Sequence, residues 1–117
     1  TSARLTIRGG SVDGNSVLGT RCMGGGIMIW SGGNVTLKGA AVVRYNTAGT
    51  AGDPAGGIGV WEGASLTMLD TSTVTANTTV GQGGGVWVKC LGSVTFEGDE
   101  AAHVFGNTPD DVVREPC

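Results

Sequence analysis

Val43-Arg44-Tyr45-Asn46 is one of four places where a valine is followed three residues later by an asparagine. The others run from Val12 to Asn15, from Val74 to Asn77 and from Val104 to Asn107. Successive asparagines are 31, 31 and 30 residues apart and cover nearly the whole chain of 117 residues. A period of this length is typical of stacked repeats, in which no single unit can bury its own apolar face.

Two further elements recur in register with these asparagines. Glycine pairs that open an apolar alternation begin at Gly25, Gly56 and Gly84. Short β-branched segments, each centred on a threonine, contain Thr6, Thr36, Thr67 and Thr95. Short segments with alternating apolar and polar residues predict strands, and no stretch has a sustained helical period.

The repeat predicts an all-β fold, a right-handed parallel β-helix of about four coils with about three short strands in each. The coils are expected at approximately residues 1–24, 25–55, 56–83 and 84–117, within one domain. Because the first residues already have a strand pattern, we interpret the chain as a mature form or as a module of a longer solenoid or fibre.

The four asparagines, Asn15, Asn46, Asn77 and Asn107, are predicted to stack at one corner of the coil. Each amide would donate to and accept from the coils beside it, which forms a buried ladder. The alternative is a set of isolated turn asparagines with local bonds. In both cases these residues are structural.

The alternating GGI or GGV and x-x-N elements resemble the GGA(I/L/V) and FxxN repeats of the polymorphic membrane protein family, over nearly the whole chain. That family comprises bacterial surface adhesins with β-helix passenger domains, and similar repeats occur in many secreted β-helix proteins, including algal and protist ones. Valine replaces the family's phenylalanine at each of the four sites. The resemblance implies a β-helix at the cell surface or outside the cell, with adhesion as the expected role.

Composition and charge bear on the partners. The net charge is −3 and there is no basic run, which argues against nucleic acid. No stretch approaches the length of a membrane span.

The three cysteines match no zinc pattern, because there is no CxxC pair and the one histidine, His103, is expected in a turn. Cys90 and Cys117 are 27 residues apart, close to one repeat, so neighbouring coils would bring them within disulfide reach. Cys22 would then be free and buried, or joined to another chain. Alternatively, all three are small buried residues in a reducing compartment.

Parallel β-helices also include polysaccharide lyases and hydrolases, which need clustered carboxylates. The acidic residues Glu62, Asp70, Glu97 and Asp99 are expected on different faces or corners of the coil. Asp110 and Asp111, with Glu115, are interpreted as a solvated tail that ends the last coil. We therefore predict no catalytic residue, no cofactor and no metal.

The candidate functional residues are the tryptophans. Alternation assigns to the core Ile27, Ile29, Ile58, Val60, Val86 and Val88, and to the outer face Met28, Trp30, Gly59, Trp61, Trp87 and Lys89. Trp30 should stack above Trp61, and Trp87 should project beside Gly59, which leaves room for its ring. Such a face fits an interface with another protein or a glycan-stacking strip, unless the loop between Asn46 and Gly56 or a terminal segment covers it.

Two other surface patterns carry weaker predictions. The threonines make an outward column suggestive of ice binding, but the neighbouring positions Arg8, Lys38, Leu69 and Glu97 are mixed and charged, which favours a solvated strand. Asn34 is a candidate N-glycosylation site in a turn before a strand, whereas the sequon at Asn77 belongs to the ladder.

These observations predict a non-enzymatic extracellular structural or adhesive module. Its expected partners are other protein chains or copies of itself, reached through the tryptophan face or the solenoid ends, and also glycans. A carbohydrate-binding or polysaccharide-degrading β-helix fragment and an ice-binding protein are the alternatives.

Overall fold

The computed structural model describes residues 3–17, 24–49 and 54–117. Within these ranges the strands are β1 (Ala3–Ile7), β2 (Ser11–Asp13), β3 (Ser16–Val17), β4 (Ile27–Ile29), β5 (Gly33–Leu37), β6 (Val42–Arg44), β7 (Thr47–Ala48), β8 (Ile58–Val60), β9 (Ser65–Met68), β10 (Thr73–Thr75), β11 (Thr78–Thr79), β12 (Val86–Val88), β13 (Ser93–Phe96), β14 (Val104–Phe105) and β15 (Val112–Arg114). One helix, α1 (Glu100–His103), lies between β13 and β14.

The strands build four parallel sheets whose members come from successive coils. The first sheet contains β1, β5, β9 and β13, the second β2, β6, β10 and β14, the third β3, β7 and β11, and the fourth β4, β8, β12 and β15. The chain is therefore a parallel β-solenoid, which confirms the fold class that the repeat predicts. Its right-handed sense stays a prediction from the crossover rule.

Two details of the coil differ from the prediction. The solenoid has about three turns, slightly fewer than the predicted four. The last coil contributes no described strand to the third sheet. A full coil has four strands and not three, because a two-residue strand follows the asparagine corner, as in β7 and β11. Two residues are too few to show an alternating pattern in the sequence.

The interior is an apolar column built by the alternation along each strand. Ile29, Ile58, Val60, Val86 and Val88 are each at most 4% exposed. Ile27, also predicted to face inward, is only partly buried, since β4 is the first strand of its sheet and has no described strand before it.

The asparagines of the repeat stack at the corner between the second and third sheets. The backbone N–H and the Nδ2 of Asn15 both donate to Oδ1 of Asn46, each at 3.0 Å. The same pair of bonds joins Asn46 to Asn77 and Asn77 to Asn107, at 2.9–3.0 Å. The amides thus form a continuous ladder. It is buried from Asn46 onward, and Asn15 at its beginning is exposed.

The ladder ends on a carboxylate. Oδ1 of Asp111 accepts hydrogen bonds from the backbone N–H and the Nδ2 of Asn107, at 2.9 and 3.0 Å. Beside it, Oδ1 of Asp110 accepts from the backbone N–H groups of Gly83 and Gly84, at 2.6 and 3.1 Å. In the preceding coil, the N–H of Gly56 donates instead to a backbone carbonyl of the next coil. The two aspartates therefore replace the polar groups that a further coil would supply.

This arrangement shows that the interpretation of Asp110, Asp111 and Glu115 as a solvated tail is wrong. All three are only partly exposed, and the segment between them contains β15, the last strand of the fourth sheet. Glu115 also pairs with Lys89, with Oε1 and Nζ 2.9 Å apart. Carboxylates between prolines are typical of both solvated segments and caps, so the pattern alone does not separate the two.

His103 is likewise not a turn residue. It is the last residue of α1 and is 3% exposed. Its ring nitrogens lie 2.7 Å from the carbonyl oxygens of Ser72 and Glu97, and its ring stacks on Phe96. The imidazole therefore bridges the last two coils inside the fold.

Candidate functional surface

The tryptophan column, defined as Trp30, Trp61 and Trp87, follows the outer side of the fourth sheet. Trp30 and Trp61 come directly after β4 and β8, and the register of these strands places one above the other. The ring centroids of Trp30 and Trp61 are 5.3 Å apart, and those of Trp61 and Trp87 are 6.0 Å apart. Tilted rings at these separations attract each other through their edges and faces.

An ion pair between Lys89 and Glu115 lies beside the tryptophan column at its end nearest the last coil. The Nζ of Lys89 lies 5.1 Å from the centroid of the Trp61 ring and 6.0 Å from that of Trp87. A cation over an aromatic face is favourable, most of all over tryptophan. The same Nζ pairs with the carboxylate of Glu115, so the charge of the lysine is balanced where the column ends.

The three tryptophans differ strongly in exposure. Trp30 is 57% exposed, Trp61 is half-buried and Trp87 is only 5% exposed. Trp87, which alternation assigns to the outer face, is thus buried; it is the central residue of β12, which has strands on both sides. Trp87 also lines a cavity of about 340 Å³ with Pro54, Gly81, Gln82 and Glu115.

Met28 and not Trp87 takes the space above Gly59. The three residues lie in register across β4, β8 and β12. A Cβ added at Gly59 would lie 2.6 Å from Sδ of Met28, with no atom of Trp87 among its nearest neighbours. Glycine at this position therefore admits the methionine side chain, which is half-buried.

Trp30 and the first coil are exposed for the same reason. β1, β2, β3 and β4 are each the outermost described strand of their sheet. Leu5 on β1 is 52% exposed, although its register partner Val35 is 7% exposed. We name this face, with Leu5, Asn15 and Trp30, the open end. Alternation assigns each residue to a side of its sheet but does not show what lies above it, so the exposure of Leu5 and Trp30 could not be predicted from the sequence.

The threonine column and Asn34 both lie on the first sheet. Thr6, Thr36, Thr67 and Thr95 are aligned in register on the first sheet. Asn34 lies within β5 and not in the turn before it, and its Nδ2 lies 3.3 Å from the carbonyl oxygen of Gly32. The sequence placed Asn34 outside the strand because a glycine and an asparagine favour turns.

Cys90 and Cys117 form a disulfide, with their Cα atoms 5.0 Å apart. This confirms the pairing that the repeat spacing predicts, while Cys22 lies outside the described residues. In the described ranges, no group of three or more His, Cys, Asp or Glu side chains is placed to hold a metal ion. In the same ranges, no helix has the length and apolar character of a membrane span.

The fold and this surface define a parallel β-solenoid with a capped end, an open end and an aromatic column on one outer sheet. Comparison with family models, with curated proteins and with solved structures gave no match to the chain.

Proposed function

We propose that the chain is a non-enzymatic extracellular module, structural or adhesive, that assembles with other protein chains through its tryptophan face or its solenoid ends. The observation that carries this proposal is Trp30, which is 57% exposed and stacks on Trp61 at the open end. Exposed apolar side chains that adjoin one another are uncommon on monomers, and tryptophan is enriched at the centres of protein interfaces.

The disulfide supports an extracellular location. Disulfides persist in oxidising compartments and are rare where thiols are kept reduced. The bond between Cys90 and Cys117 joins the turn after β12 to the segment after β15, so it fastens the last coil. A rod exposed to an extracellular medium gains stability from a covalent tie across one of its coils.

A photo-reactive amino acid at position 30, introduced in the cells that produce the protein, tests the assembly directly. We expect an adduct with a protein chain from position 30. The matched control is position 45, because Tyr45 is similarly exposed, at 62%, but follows a strand of the second sheet. A native protein that stays a free monomer and gives no adduct at position 30 would contradict the proposal.

Carbohydrate binding is the second candidate, and the exposed ring of Trp30 is the observation that favours it. Glu62, one coil away and exposed, would supply polar contact to a sugar stacked there. Binding of an oligosaccharide that shifts tryptophan emission, without any protein adduct, would favour this candidate. Depolymerisation of an acidic polysaccharide in the presence of calcium would refute the non-enzymatic part of the first proposal.

A further inference from the structure

His103 lies between two backbone carbonyl groups, one at each nitrogen of its ring. Its Nδ1 lies 2.7 Å from the carbonyl oxygen of Ser72, and its Nε2 lies 2.7 Å from that of Glu97. The residue is 3% exposed, and its ring stacks on that of Phe96 with the centroids 5.8 Å apart. Ser72 precedes β10 and Glu97 follows β13, so the imidazole joins two neighbouring coils from inside the fold.

Both carbonyl oxygens can only accept a hydrogen bond. A neutral imidazole has one N–H, so its other nitrogen would present a lone pair to an oxygen 2.7 Å away. A separation of this size is favourable only when a proton lies between the two atoms. The imidazolium has an N–H on each nitrogen and donates to both oxygens. Either neutral tautomer instead sets two acceptors against each other at one of the two buried contacts.

The charged side chains on the segment that carries His103, and on the turn that its ring reaches, are all carboxylates. Glu97, Asp99 and Glu100 lie between β13 and the first turn of α1, and Asp70 lies in the turn before β10. Oε1 of Glu97 accepts from the backbone N–H of Asp70, and Glu100 pairs with Arg114 of β15. The strands β10, β13 and β14 carry no charged residue. This local excess of negative charge favours the protonated ring.

We propose that His103 is a proton-dependent clamp between two coils. As the imidazolium it ties the end of α1 and the turn after β13 to the turn before β10, and loss of its proton breaks one of the two contacts. The inference is independent of the proposed function, because it involves neither the tryptophan column nor a partner chain.

The clamp makes the stability of the fold decrease as the pH rises. A histidine in an unfolded chain loses its extra proton at about pH 6.5, whereas a ring that donates to two carbonyl groups keeps that proton to higher pH. Above about pH 6.5 the folded state therefore binds more protons than the unfolded state, and each further pH unit costs stability. The contribution of the clamp is complete below about pH 6.5 and is lost as the folded chain releases the proton.

Nuclear magnetic resonance of the unmodified chain, labelled with ¹⁵N in the histidine ring, tests the protonation directly. The chain has one histidine, so a single imidazole is observed. At about pH 7.5, where an unfolded histidine is mostly neutral, we expect an attached proton on both ring nitrogens of the folded chain. A ring nitrogen without a proton at that pH would overturn the inference.

Denaturant titration with the disulfide intact measures the energetic effect. Between about pH 6 and about pH 8, the unfolding equilibrium constant of the unmodified chain should rise about tenfold, or about 1.4 kcal/mol. The matched control is His103→Gln, whose amide donates but does not titrate, so its constant should change less than about twofold.

Equal pH dependence in the two chains would contradict the clamp. If His103→Gln does not fold, the ¹⁵N spectrum of the unmodified chain decides alone. Neither measurement involves the adduct at position 30, so the clamp and the proposed function are tested separately.

Discussion

At the scale of single residues, asparagine and tryptophan have different roles in this solenoid. The ladder asparagines combine a donor and an acceptor in one amide, so one residue type satisfies the same corner in every coil. The tryptophans contribute apolar contact area and not hydrogen bonds. Their exposure is greatest at the open end and decreases with distance from it. Residues at the same position of the repeat therefore contribute differently to the free energy of unfolding, depending on the coil in which they lie.

Asn46→Ala should lower the free energy of unfolding by about 2–4 kcal/mol, because it orphans buried groups on two neighbouring rungs. Oδ1 of Asn46 accepts two bonds from Asn15, and its Nδ2 donates to Asn77 and to the carbonyl of Val12. The control is Asn15→Ala, which should cost less than about 1 kcal/mol since water reaches that corner. Urea denaturation with the disulfide intact gives both values, and equal losses would contradict the ladder.

Trp30→Phe should remove most of the acrylamide quenching of the isolated chain, whereas Trp87→Phe should leave it almost unchanged. The reason is their exposure, 57% for Trp30 and 5% for Trp87. Stern–Volmer plots of the two variants provide the measurement. A larger effect from Trp87→Phe would mean that the column is covered at the opposite end from the one described.

At the scale of strands and caps, the regular parts of the fold could be predicted and the end of the solenoid could not. The alternation and the period determine which side of each strand is buried, so Ile58 and Val86 were assigned correctly. Asp110 and Asp111 occur once each and have no repeat to compare with. Asp110 accepts from the N–H of Gly83, which lies 27 residues earlier in the chain and which only the folded coil brings near.

For the candidate surface, the sequence predicts the side of the sheet on which a residue lies but not how deeply the residue is buried. The outward position of Trp87 follows from alternation, yet its burial depends on the bulk of Lys89, Glu115 and the neighbouring strands. Asn34 shows the converse case, since its local turn preference yields to the parallel pairing of β1 with β5. Tertiary contacts, which no local pattern encodes, decide both positions.

Replacing both Cys90 and Cys117 by serine should lower the free energy of unfolding by about 3–4 kcal/mol, the chain-entropy value for a loop of this length. The bond closes a separation of 27 residues and spans the last coil. Denaturant titration of the oxidised chain and the double variant measures the loss, and reduction of the unmodified chain serves as the control. A loss below about 1 kcal/mol would show that the cap holds the last coil without the disulfide.

At the scale of the whole molecule, the solenoid is asymmetric. One end is closed by two carboxylates, a disulfide and the last strand of the fourth sheet. The other end exposes interior side chains and an amide oxygen without a described donor. The described coils therefore satisfy their polar groups differently at the two ends.

Amide hydrogen exchange, followed residue by residue by NMR, tests this asymmetry most directly. We expect the N–H groups of Gly83, Gly84 and Asn107 to exchange at least tenfold more slowly than the strand amides of β1 to β3, although both sets lie at ends of the described solenoid. Asp111→Ala should release the amide of Asn107, and Asp110→Ala those of the two glycines. Equal protection at the two ends, or greater protection at β1 to β3, would contradict the capping role of Asp110 and Asp111.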